Sequence, residues 1–297
     1  MADFRGAGDG MRTTRSTTVA CLGVAALLAG CSTPLPRQES GNPLRTPRMS
    51  RDSVGLEIFF VRLPAADRQA YDSIWNEADE QRFGVGLRRQ MAENGLRAGV
   101  LGWQMPAAVQ RLLDEQSQRA VEADGPQQGI QVTELDRTSP IRIRQLQVRP
   151  GRRSEIIASS VYESLPLLVR EGGVLKGRSY QNCQGILALH AYPEPDGQVR
   201  LEVWPELHHG QPRHRFTGSD GVLKLETGRP RDVFEHLRLD VSLSPGEMLL
   251  LGGQPDRPGS LGNCFFVDRN AGQAERKLIL VRVAATQRDE LFAPPER

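Results

Sequence analysis

Lysine is nearly missing from this sequence: Lys176, Lys224 and Lys277 are the whole complement, and every other basic side chain is arginine. A bias this uniform reflects genome composition before function, although arginine does offer carboxylates a planar fork that lysine lacks. Aromatic residues are also scarce, at 5%. They do not interleave with a basic patch, which argues against a groove for single-stranded nucleic acid. An excess of one charge is absent too. The 38 basic and 36 acidic residues leave a formal net charge of +2, so no single-sign field points to nucleic acid or an acidic partner. No G-x-S-x-G, S-x-x-K, H-E-x-x-H or G-x-x-x-x-G-K-[ST] occurs, which removes the familiar hydrolase, zinc-protease and P-loop signatures. Gly259-Ser260-Leu261-Gly262 lacks the nucleophile-elbow pattern, and Gly84-Val85-Gly86 follows a helix-like run where a dinucleotide loop would follow a strand. These absences favour a protein that is not an enzyme and needs no cofactor.

No apolar run reaches the roughly 20 residues of a spanning helix. The longest candidate, Thr17 to Gly30, is preceded by Arg12 and Arg15 and ends in Ala29 and Gly30 before Cys31. That order is the charged, apolar and small-residue sequence of a secretory signal over residues 1–30. Asp3 and Asp9 are unusual in the charged region, and Met11 offers a second start. Leu28-Ala29-Gly30-Cys31 resembles the lipobox of bacterial lipoproteins. The resemblance implies that Cys31 becomes the first mature residue and carries the acyl chains, each buried methylene adding about 0.8 kcal/mol of membrane affinity. The implied partner is a lipid bilayer. Ser32 is not acidic, which by similarity to proteobacterial sorting implies the outer membrane, with the folded part facing the periplasm. Residues 31–53, with four prolines between Ser32 and Ser50 and no apolar period, read as a flexible tether.

The rest predicts an α+β fold. Residues 54–120 read as a small α+β module: a strand over Val54–Leu63, helices over Ala65–Gln81, Leu87–Glu93 and Pro106–Gln118, and a strand over Leu96–Leu101. Parallel pairing of those two strands through a helical crossover is expected. Residues 119–130 read as a boundary. Residues 130–288 read as a mostly antiparallel β domain, sandwich or barrel-like, with strands at 131–135, 141–149, 155–162, 165–169, 183–192, 198–204, 213–217, 222–226, 235–243, 247–252, 262–267 and 276–285. Residues 289–297 read as a tail.

Candidate chemistry is confined to this second part. His208, His209 and His214, with Glu206 nearby, form the one stretch resembling a metal site, although its spacing matches no established motif and an ordinary polar loop explains it as well. Cys183 and Cys264 remain after export and offer either a disulfide or two separate buried thiols. Arg142, Arg144, Arg149, Arg152 and Arg153 form a local basic run. The alternation Ile141-Arg142-Ile143-Arg144 reads as a strand with one buried and one wet face, and contact with anionic lipid or a partner is the alternative.

The segment 199–283 resembles the C-terminal domain of bacterial secretins, channel subunits of secretion systems. Its order is Val199–Glu206 ending in Pro-Glu, Leu239–Gly253 ending in Gly-Gly, a Pro258-Gly259-Ser260-Leu261-Gly262 loop before Phe265-Phe266, and a closing strand Lys277–Val283. The loop is short for that family, and no amphipathic membrane-spanning strand pair is evident. The resemblance therefore implies a soluble secretin-like β module that makes protein contacts within a secretion or surface assembly. A periplasmic ligand-binding protein and a metal-dependent hydrolase built on the histidine stretch are the alternatives.

Overall fold

A computed structural model describes residues 53–123, 139–219, 222–270 and 273–287. The expected signal, Cys31, the tether up to residue 52, the strand at 131–135 and the tail at 289–297 lie outside the described residues. In chain order the elements are β1 (Ser53–Pro64), α1 (Arg68–Asn76), α2 (Val85–Glu93), β2 (Leu96–Leu101), α3 (Ala107–Ala123), β3 (Ile141–Val148), β4 (Ser154–Ile157), β5 (Tyr162–Glu171), β6 (Val174–Pro193), β7 (Val199–His208), β8 (Arg213–Ser219), β9 (Val222–Gly228), β10 (Arg231–Val233), β11 (Leu239–Leu243), β12 (Met248–Gly253), α4 (Leu261–Phe266), β13 (Val267–Asn270) and β14 (Gln273–Gln287).

The fold is α+β, with open, antiparallel sheets and no closed barrel among the described residues. The first sheet runs β2-β12-β14-β1-β3, with β13 also on β14. The second runs β10-β7-β6-β4, with β11 also on β7 and β5 on β6. One core lies between the two sheets, where Val54, Leu56, Ile58, Leu249, Leu251 and Val281 meet Leu187, Leu189, Leu201, Val203 and Val241. A second core covers the other side of the first sheet, where Phe59, Val61, Leu250 and Leu280 pack under Tyr71, Ile74 and Trp75 of α1 and Val109 of α3. The described residues thus form three layers: helices, sheet, sheet.

This layering accounts for the hydrophobic patterns. β12 and the centre of β14 are covered on both faces and read as continuous apolar runs, Met248–Leu251 and Leu278–Val281. β7 alternates core-facing Val199, Leu201, Val203 and Leu207 with an outer row in which Arg200, Trp204 and His208 are partly exposed and Glu202 and Glu206 are buried under ion partners. α1 begins where the Asp67 side chain accepts the Ala70 amide at 3.0 Å and buries Tyr71, Ile74 and Trp75 at helical spacing. α2 ends at Asn94, followed by Gly95 at φ 72°, a left-handed position that glycine adopts without strain.

Several expectations need correction. The stretches 54–120 and 130–288 do not form separate sheets: β1 and β2 from the first stretch share a sheet with β3, β12 and β14 from the second, and residues 49–297 form one unit. β1 and β2 are not paired in parallel. β12 and β14 lie between them, and every step in that sheet is antiparallel, because long-range partners with two apolar faces fill the centre. Residues 262–267 are mostly helix α4, started by Ser260, whose Oγ accepts the Asn263 amide at 3.2 Å. Its Phe265 fills the end of the inter-sheet core, and burial overrides strand propensity there. The expected strand 235–243 is broken by a single helical turn at Glu235–Leu237 before β11.

Candidate interaction surfaces

β7 points its odd residues into the core and its even residues outward, giving the row Arg200, Glu202, Trp204, Glu206 and His208. Register sets its neighbours: Tyr192 lies beside Arg200 and His190 beside Glu202 on β6, and Asp240 of β11 lies beside Glu202. Glu202 is nearly buried and accepts from Arg200 Nη1 at 2.9 Å and Arg238 Nη2 at 2.6 Å. Arg238 lies over the Trp204 ring, 5.0 Å from its centre, and the indole Nε1 donates to Glu235 at 2.9 Å. Glu206 accepts from Arg153 Nη2 at 2.5 Å and from His208 Nε2 at 2.9 Å, with Arg231 at 4.0 Å.

Four residues along a strand separate Glu202 from Glu206 by about 13 Å at the backbone, and Trp204 stands between them. Paired glycosidase carboxyls sit within about 5–9.5 Å. Each glutamate here is held by guanidinium groups, so the row is an ion-paired outer face and not an acid–base dyad.

Burial by itself would raise the Glu206 carboxyl, but the His208 hydrogen bond and the charges of Arg153 and Arg231 outweigh it and hold the carboxyl below its usual range. The same balance, with the Tyr180 hydroxyl, His209 and Arg178 as partners, holds Asp232 low. A carboxylate lowered in the folded state contributes stability that is complete above its unfolded value of about 4 and is lost as pH falls through the folded value. Glu206→Gln is therefore expected to flatten the acid limb of the stability profile. Urea midpoints measured between pH 6 and pH 3 check this, since a variant with the wild-type slope would mean that Glu206 contributes nothing to it.

The histidines are not brought together. His208 faces Glu206 on the outer side, whereas His209 approaches Asp232 Oδ1 at 3.6 Å and stacks near Tyr180, with ring centres 5.2 Å apart. Asp232 sits opposite the inward-facing Leu207. The backbone of His214 lies in the separate β8–β9 pair, and its side chain is outside the described residues. Among the described residues no three His, Cys, Asp or Glu side chains could hold one metal ion. Cys183 and Cys264 are buried free thiols in the inter-sheet core, and burial pushes the Cys264 thiol up to about 12 and raises that of Cys183. Ile143 also departs from expectation. β3 is an edge strand, and Ile143 is 55% exposed although Ile141 is buried.

Two features escaped the sequence reading. One is a buried ion pair, Lys277 Nζ to Asp268 Oδ2 at 3.0 Å, with Nζ also donating to the Ala158 carbonyl at 2.6 Å. A lysine opening an apolar run in an arginine-dominated chain was the available signal. The other is the hairpin of β5 and the first part of β6, paired from Glu171↔Val174 to Tyr162↔Cys183. All residues from Val174 to Ser179 are exposed, whereas their partner strand β5 buries Leu167 in the inter-sheet core and rests Leu165 and Val169 against it. Leu168, Val174 and Leu175 stand 49%, 58% and 53% exposed. No family model matches the chain, and no curated protein matches its sequence. The surfaces themselves must therefore carry the functional reading, and the hairpin is the more distinctive of the two. Clustered exposed aliphatic side chains mark contact sites. The hairpin is held along β5: Asn94 accepts the Arg170 amide at 2.8 Å and donates to the Arg170 carbonyl at 2.9 Å, the Leu168 amide donates to the Gly259 carbonyl at 2.8 Å, and Leu167 is buried in the inter-sheet core.

Proposed function

We propose that this is a lipid-anchored, non-catalytic envelope protein that holds a protein partner through the β5–β6 hairpin, within a secretion or surface assembly. The signal-like segment ending in Leu28-Ala29-Gly30-Cys31 supports the anchor, and the non-acidic Ser32 supports the outer membrane, with the fold facing the periplasm. The observation that carries the partner is the outer part of the hairpin, where Leu168, Val174 and Leu175 are exposed and cost solubility unless something covers them. It lies beside the Asn94–Gly95 turn, which leads into Leu96, the end of β2 paired with Gly253. Ser53, the first described residue of β1, lies at the opposite end of that sheet from the hairpin.

The test is extraction of the full protein in mild detergent followed by light scattering on a sizing column. After subtraction of bound detergent, the wild-type protein is expected to carry more protein mass than one processed chain, and V174E/L175E is expected to run as a folded monomer. A monomeric wild-type protein would overturn the reading.

A further inference from the structure

We propose that the end of the first sheet at which the chain enters the fold rests on an anionic bilayer, with Trp103 in the interface and Arg149 and Arg152 on lipid phosphates. This rests on the lipid-anchor reading.

Register places the relevant segments together. Ser53, the first described residue of β1, pairs with Gln287, and Val54 pairs with Val148, so the β3–β4 turn at residues 149–153 emerges beside the start of β1. Leu101, the last residue of β2, pairs with Met248, the first of β12. The loop after β2 and the turn before β12 therefore leave the sheet at that same end. The Gly246 amide donates to the Val283 carbonyl at 2.8 Å, and Val283 pairs with Leu56. A side-chain carbon on Gly246 would lie 3.3 Å from Trp103 Cβ. Trp103 is thus level with the first residues of β1.

Trp103 is 73% exposed, the largest value among the exposed large apolar side chains of the described residues. Of the other tryptophans, Trp75 is buried and Trp204 is engaged by Arg238 and Glu235. A solvent-facing indole on a short loop is the side chain that partitions best into the headgroup region of a bilayer. Arg149 and Arg152 are exposed and form no ion pair with a described residue. Two of the acidic groups at this end have a cation within 4 Å, and Asp196 is bonded to a turn amide. Glu247 accepts the Ser244 amide and lies 3.9 Å from Arg82, Glu194 lies 3.9 Å from Arg200, and Asp196 accepts the Gln198 amide. The two cations therefore leave the sheet at the same end as the exposed indole, from β3 at one edge while Trp103 follows β2 at the other, and this is the end that holds Ser53. Cations near an anionic leaflet add to the hold of a lipid anchor.

The test uses the full acylated protein reconstituted into washed vesicles whose acyl chains carry bromine near the headgroups. The emission of Trp103 is obtained as the difference between wild type and W103F. In vesicles of phosphatidylglycerol and phosphatidylcholine, that component is expected to lose about half its intensity or more, and R149Q/R152Q is expected to restore most of it. A Trp103 component as bright in brominated as in unbrominated vesicles, with the protein still membrane-bound, would overturn the docking and leave the anchor intact. Quenching as strong in pure phosphatidylcholine would overturn the part assigned to the arginines. Protein that washes off the vesicles would overturn the anchor itself.

Discussion

Gly262→Ala is expected to lower stability by about 3 kcal/mol or more. A side-chain carbon at this position would lie 1.6 Å from the Gly95 carbonyl oxygen and 2.2 Å from its carbon. Both are backbone atoms, so no rotamer change relieves the clash. The Gly262 amide donates to the Asn94 carbonyl at 3.0 Å, and the Gln254 amide donates to the Gly95 carbonyl at 2.7 Å. Displacing α4 therefore breaks the junction that joins the α2–β2 turn, the end of β12 and α4. Gly253 is pressed against the same place, its would-be side-chain carbon 2.8 Å from the Gly262 oxygen. Gly102→Ala is the control. It has open space and is expected to change stability by less than about 0.5 kcal/mol. Urea denaturation of both variants checks the pair. Equal midpoints would show that the junction is not closely packed.

Asp268→Asn is expected to cost about 3–5 kcal/mol at neutral pH, because it leaves the Lys277 ammonium buried without its counter-charge. Lys277 and Asp268 are each about one-tenth exposed in this pair. Burial lowers the Lys277 ammonium below its ordinary value, and the Asp268 charge and hydrogen bond oppose that shift. Without Asp268 the lowering should deepen. A lysine lowered in the folded state costs stability while it stays protonated, and that cost shrinks as pH rises past the folded value and is gone above the unfolded value of about 10.4. The variant should therefore regain stability relative to wild type as pH rises. Adding Lys277→Met should recover most of the loss, since a packed apolar replacement of a buried pair is often close to neutral. Four urea titrations forming a double-mutant cycle measure the coupling. Additive losses would show that the two side chains do not depend on one another.

Legibility followed local chemistry. The Asn94-Gly95 stop of α2, the Asp196-Gly197 hairpin and the alternation of β7 were all readable, because each is set by residues close in sequence. The partner strands of β1 were not. Its pairing with β14 joins residues more than 200 positions apart, and nothing local distinguishes that from a crossover to β2. The same limit hid the role of the glycines. Gly252-Gly253 and Leu261-Gly262 belong to the secretin-like order, whereas the physical reason for Gly253 and Gly262 is the close approach of backbone segments, and for Gly252 the packing of Leu278, Trp75 and Tyr71. The outer row of β7 was implicit in Val199–His208, but its ion pairing depends on Arg153 and Arg238 from other elements. The histidine stretch misled because adjacent residues take opposite sides of a strand end, so closeness in sequence separates side chains there.

Everything proposed about location depends on Cys31. The most direct measurement is the mass of the N-terminal peptide of the mature protein, read alongside membrane fractionation of Cys31→Ser. A peptide beginning at Cys31 and carrying a diacylglyceryl thioether, with the serine variant unprocessed, is the expected result. A mature N-terminus elsewhere, or an unmodified Cys31 in a protein that still sediments with membranes, would contradict it.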